Sequence, residues 1–288
     1  MEFKQVPIRV IGPGSQPAEA DGQRANYIDM PGDMWTYRPP PMPEPDEVRH
    51  LAGARESMRW LKRALADCGD GSVSRLADLS ALDDDDRELV NQLLGEGEVS
   101  LSFDAGFRVR AQESVLAGVW RSLFVDDDER VVADVLEVAA VPQLVYRQDG
   151  RDRAIDTDCG DLPADVINAP AILVELESRL AAYAASGRPH EVNLTLLPLT
   201  DADLAFLDAR LGRGPVDTLS RAYGQCQVVS TAVPNLWWVR FFNSMGTPIL
   251  TTLEVVDVPA VLRAAPEDLR DSAARLDAML APYWDEFR

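Results

Sequence analysis

The chain is poor in the residues that most enzymes and metal carriers depend on. It has only two histidines, His50 and His190, and three cysteines, Cys68, Cys159 and Cys226. Neither histidine lies near a cysteine in sequence and no two cysteines stand at C-x-x-C spacing. The local ligand clusters used by zinc and nickel sites are therefore missing, and no metal is expected. An odd number of cysteines in a chain of 288 residues argues against a disulfide framework and fits reduced thiols in the cytoplasm. No G-x-G-x-x-G or P-loop pattern occurs, so no nucleotide cofactor is expected either. No run approaches 18 apolar residues, which predicts no membrane span, and the first ten residues lack the apolar core of a secretory signal. Basic residues are also scarce. Against 48 Asp and Glu there are 28 Lys and Arg, a net charge of −20. That balance disfavours nucleic acid, whose phosphates need clustered Lys and Arg, and favours solubility and steering toward a basic partner.

Hydrophobic residues at 46 % and charged residues at 26 % belong to a globular protein, and the length suits two lobes. Residues 1–47 read as an extended arm, with eight prolines between Gly12 and Glu47. Tyr27, Met30, Met34, Trp35 and Tyr37 sit among them and need a surface to rest on, either the protein's own body or a partner. Apolar periodicity predicts helices over 48–66, 83–94, 170–185 and 266–281. Short β-like runs follow the second helix at 98–103, 107–112, 115–125 and 130–138. The Asp-, Arg- and Gly-rich stretch 148–167 reads as a linker between lobes at 48–147 and 168–288.

Residues 82–145 align with 199–262 without a gap at a constant offset of 117, with at least 14 identities in 64 positions against about four expected by chance. Among them are Asp86 and Asp203, Gly95 and Gly212, Gly97 and Gly214, Trp120 and Trp237, Glu137 and Glu254. The expected fold is thus α/β of the α+β kind. Each of two pseudo-two-fold-related lobes would be helix–strand–helix followed by a small, mainly antiparallel sheet.

Several of these positions have structural explanations. Thr200 and Asp203 have capping-box spacing, Asp83 and Asp86 can do the same, and Gly95 and Gly212 stand where helices end. Glu137 and Glu254 each lie between Leu and Val in a strand, so they point away from the buried face, toward solvent or onto a concave surface. An acid–base reading would use Glu137 with Glu254, or Glu96 with Glu98, but Arg213 and Pro215 replace the latter pair in the second copy. The run Gly95-Glu96-Gly97-Glu98 follows a helix rather than a strand, the wrong context for phosphate. Binding to another protein is the reading that remains. The strand 235–242, with Trp237, Trp238, Phe241 and Phe242, would be buried on both faces or would cover a client.

Ordered stretches along nearly the whole chain carry a resemblance. They are Ile11 through Pro17, Leu93 through Ser100, and Glu113 with Ala117 through Arg121. They continue with Asn193-Leu194-Thr195, Leu197-Pro198 and Asp203, and end with Ala264 through Leu269 followed by Asp271-Ser272. Together they resemble the hydrogenase expression/formation proteins of the HupH, HyaF and HoxQ type. The resemblance implies an accessory protein of membrane-bound nickel–iron hydrogenases. It would shield the iron–sulfur small-subunit precursor before twin-arginine export, beside a thioredoxin-like second chaperone. A nickel-incorporation role is the alternative the family offers. Partner contacts are expected at Trp35, Tyr37, Gly95 through Glu98, Trp120, Arg121, Glu137, Tyr223, Trp237, Trp238 and Glu254.

Overall fold

A computed structural model describes residues 42–69, 71–147, 149–221 and 225–287. Trp35, Tyr37 and Tyr223 lie outside the described residues. The described residues form α1 (Pro45–Val48), α2 (Ala52–Asp67), α3 (Asp84–Leu94), α4 (Ala169–Ser186), α5 (Asp201–Leu211) and α6 (Pro266–Leu280); α2, α3, α4 and α6 answer the four expected helices, with the first starting at Ala52 rather than 48. Ten strands accompany them. The first five are β1 (Arg75–Asp78), β2 (Val99–Asp104), β3 (Arg108–Glu113), β4 (Val119–Val125) and β5 (Val131–Val138). The others are β6 (His190–Asn193), β7 (Arg213–Ser220), β8 (Gln225–Thr231), β9 (Leu236–Phe242) and β10 (Pro248–Val255).

The expectation of two small sheets is corrected. All ten strands join one antiparallel sheet in the order β1-β5-β4-β3-β2-β7-β8-β9-β10-β6. The seam is the β2–β7 pair, where Val99 meets Ser220, Leu101 meets Thr218 and Phe103 meets Val216. Subtracting 117 from the β7 numbers makes this register symmetric about Leu101. Two helical clusters cover one face. Over the first half, α2 and α3 bury Met58, Leu61, Leu65, Leu89 and Leu93 against Val119, Leu136 and Val138. Over the second, α4 and α5 bury Ile172, Leu173, Leu176, Leu207 and Leu211 against Trp238, Leu253 and Val255. The opposite face carries a third core drawn from both halves, with Leu101, Phe103, Val109 and Ala111 beside Val216, Val228, Trp237 and Val239.

The C-terminal helix was expected to belong with the second lobe; it packs on the first. Leu276, Leu280, Tyr283, Trp284 and Phe287 enter the α2–α3 core, while Glu286 pairs with Arg55 and Arg59 of α2 and Lys62 meets Asp277 at 2.7 Å. The linker is also more than a polar tether. Ile155 and Val166 join the second core, and Arg151 is 1 % exposed.

Local geometry repeats at the 117 offset. Positive φ occurs at Gly95 and Gly212, Gly118 and Asn235, and Glu129 and Gly246. A Cβ on Gly97 would collide with the Ser114 carbonyl oxygen, and one on Gly214 with that of Thr231. Asp86 accepts from the amides of Gly53 and Ala54 at the start of α2. Asp203 does more. It completes the expected capping box with Thr200, and its Oδ1 accepts from the amides of Ile167, Asn168 and Ala169 at 2.8, 2.9 and 2.9 Å. One carboxylate therefore ties the starts of two helices together. Burial alone would raise its pKa, but the amides of Ala169, Thr200, Ile167 and Asn168 hold it down at about 2.

That shift has a sign. Stability from Asp203 is fully present above its ordinary pKa near 3.8 and is lost as pH falls through about 2. Asp203→Asn is expected to cost about 2 kcal/mol at pH 7 and progressively less below pH 4. Urea melts of both proteins across that range would show a converging pair of curves; a constant gap would mean that the charge is not what matters.

Candidate functional site: the tryptophan–glutamate rows

Strand alternation and the ladder register place Glu137, Trp120 and Glu113 abreast on β5, β4 and β3, on the face away from the helices. The corresponding row in the second half is Glu254, Trp237 and Ser230 on β10, β9 and β8. Both indoles are buried, and each donates to the strand leaving its paired glutamate. Trp120 Nε1 reaches the Ala139 carbonyl at 3.2 Å, and Trp237 Nε1 reaches that of Val256 at 3.0 Å.

The solvated outer face expected for Glu137 is not found. This residue is 2 % exposed, because the short 3-10 segment Gln143–Tyr146 folds back beneath it. Its Oε1 accepts from Ser74 Oγ and from the Gln143 amide, both at 2.9 Å. Burial raises its pKa, with those two bonds opposing the shift. Glu254 is half-buried and faces Glu191 across the β10–β6 ladder, and its pKa is raised by burial first and by Glu191 second. The two glutamates cannot serve as one acid–base pair. Seven strand spacings separate β5 from β10, on the order of 30 Å along the sheet.

The other expected contacts are largely occupied by the fold. Arg121 forms a two-pronged pair with buried Asp134 at 2.9 and 2.6 Å. Trp238 is buried in the second core beneath the Arg240 guanidinium, 4.7 Å from its centroid, so the strand is buried on both faces from Leu236 to Val239 and half-buried from Arg240 to Phe242. The guanidinium of Arg151 lies 4.3 Å from the Trp237 centroid and donates to the carbonyls of Thr231, Val233 and Leu236. With no carboxylate beside it, burial lowers its pKa to about 10. Gly95 ends α3, Gly97 presses on the β3–β4 turn, and Glu96 and Glu98 are exposed. His190 is bonded to Glu175 at 2.8 Å. Among the described residues no group of three or more His, Cys, Asp or Glu is arranged to hold a metal ion, and no helix is long and apolar enough to cross a membrane.

The family described as HupH hydrogenase expression protein, C-terminal conserved region, matches residues 53–154 and 166–283, the two stretches that carry the two rows. The chain belongs to this HupH family. It is 43 % identical over 277 residues to the hydrogenase expression/formation protein HoxQ of Cupriavidus necator, covering 96 % of each chain. It is 44 % identical over 212 residues to the hydrogenase expression/formation protein HupH of Rhizobium leguminosarum bv. viciae, covering 73 % of this chain and 75 % of that one. Among solved structures, the hydrogenase expression protein HupH from Thiobacillus denitrificans matches 40 % of this chain and 95 % of its own, at 31 % identity and a TM-score of 0.38.

One titratable residue of this HupH-family chain escaped the sequence reading, which met Glu113 only as the start of a family motif. Burial raises its pKa to about 7 against the pull of the Gly118 amide, which donates to Oε1 at 2.9 Å, with Glu98 and Asp268 adding repulsion. Its only sequence signal is a glutamate five residues before a glycine in a hairpin turn. A raised carboxyl stabilises the fold below its unfolded pKa of 4.5, and that contribution is lost as pH rises through about 7. Glu113→Gln keeps the acceptor for Gly118. It is expected to be more stable than the parent by up to roughly 3 kcal/mol at pH 8 and no more stable at pH 4. Denaturant melts at the two pH values check this, and an equal effect at both would exclude the titration.

Proposed function

We propose that this chain is an internally duplicated, non-catalytic holding factor of nickel–iron hydrogenase maturation that binds the iron–sulfur small-subunit precursor before twin-arginine export. One observation carries the reading. Glu137 is spent on the fold's own hydrogen bonds, and the two glutamate stations lie on the order of 30 Å apart. What faces outward is an acidic surface on a chain of net charge −20, suited to steering a basic polypeptide. The names of its relatives, hydrogenase expression/formation proteins, support the setting. The repeated carboxylate caps, positive-φ positions and indole bonds at an offset of 117 support the duplication.

The test is co-purification. The tagged protein is expected to bring down the unprocessed small subunit, and to lose it when the signal segment is removed or its paired arginines are changed. Equal retention of the mature, assembled subunit would overturn the holding role. Association is also expected to slow several-fold between low and physiological salt, as steering of a basic client requires.

A further inference from the structure

The two halves, so alike inside, differ on one surface. In the second half Leu196 is 79 % exposed, Ile167 65 % and Ile249 58 %, with Leu197 and Leu204 exposed beside them. Hydrogen bonds stitch these residues into one patch. The Ile167 amide donates to Asp203 next to Leu204, and Asn168 Nδ2 reaches the Pro198 carbonyl at 2.7 Å. The Thr251 amide donates to Thr195 Oγ1 at 2.8 Å, bringing the Ile249 end of β10 against 194–197. In numbers lower by 117, the first half has buried Leu79 for Leu196, Ser80 for Leu197 and ion-paired Arg87 for Leu204. Ser80 Oγ accepts from the Asp134 amide at 3.0 Å. Ile249 alone has an exposed apolar counterpart, Val132 at 62 %, so the same backbone closes without the rest of this apolar surface, and that part is not a requirement of the fold. Contiguous exposed apolar residues of this kind mark interaction sites.

The rim says what fits. Asp165, whose carbonyl is held by Thr200 Oγ1 at 2.7 Å, and Asp201 at the start of α5 are exposed beside the patch. Neither is in an ion pair among the described residues, although the chain has many elsewhere. Apolar centre and unneutralised acidic rim together match one chemistry.

We infer that the face formed by Ile167, Leu196, Leu197, Leu204 and Ile249 docks an apolar polypeptide segment bounded by arginine or lysine, whose cations meet Asp165 and Asp201. The inference rests on the proposed function in that such a segment belongs to the unprocessed client.

The decisive comparison uses the full chain, the double variant Ile167→Ser/Leu196→Ser, and Val132→Ser as a control on the equivalent edge of the first half. Exposed positions such as these are expected to leave the melting behaviour within a small margin of the parent. Two probes are needed: the small-subunit precursor, and a synthetic 20-residue apolar peptide opened by two arginines, alongside its counterpart opened by two glutamates. The double variant is expected to bind both the precursor and the arginine peptide at least about tenfold more weakly. Val132→Ser should bind like the parent, and the glutamate peptide should bind neither protein. Asp165→Asn/Asp201→Asn should weaken binding and flatten its salt dependence. If the precursor binds the double variant as tightly as the parent, this face is wrong while the holding role stands. If the parent fails to bind the precursor, the holding role is wrong, and the peptide titration still decides the face. Sedimentation provides a further check. A parent that dimerises while the double variant is monomeric would make the patch a contact between copies and overturn the inference.

Discussion

The structure depends on a short antiparallel seam, β2 against β7, in the middle of a ten-stranded sheet. Its register puts Leu101 and Phe103 on the same side as Val216 and Thr218, and these residues begin the core that both halves share. A slip of one residue would turn that side outward and expose Ser100 and Ser102 to the shared core instead. Beyond the seam each half runs outward hairpin by hairpin to β5 or β10, and a four-residue strand from earlier in the chain, β1 or β6, closes each edge. Such short edges limit pairing with other chains.

Two further devices hold the helices to this frame. Asp86 and Asp203 each cap the helix before their own, so the angle between successive helices is set by one carboxylate rather than by side-chain packing alone. The C-terminal residues then cross back to the first half, where Tyr283, Trp284 and Phe287 close its core. This return joins the ends of the described chain, with Tyr283 donating to the Pro43 carbonyl at 3.1 Å.

Helices and strands were legible because their apolar periods are clean, as in Met58 through Leu65, and the Thr200–Asp203 box announced α5 by itself. The recurrence of glycine, proline and tryptophan at an offset of 117 stands in the sequence itself. The strand order was not legible, because nothing in β2 or β7 marks it as the partner of a strand over a hundred residues away. Glu137 was misjudged for a related reason. Alternation shows which way a side chain points but not what later segment covers it, and here Gln143–Tyr146 does so. Arg151 was hidden by composition. A polar stretch reads as a tether, yet its aliphatic stem and flat cation lie over Trp237 as a hydrophobic residue would. Of the expected partner contacts, those with large aromatic or charged side chains among the described residues are mostly buried or ion-paired. The exposed apolar residues near α5 raised no signal, since single leucines on a surface are ordinary.

The seam also bears on how the protein comes into being. On the ribosome, Phe103 emerges long before Val216, so the outer edge of β2 waits unpaired while more than a hundred further residues are made. Contacts of such long range are slow to close. A nascent chain of this kind exposes an open strand during its own synthesis until the second half of the sheet arrives.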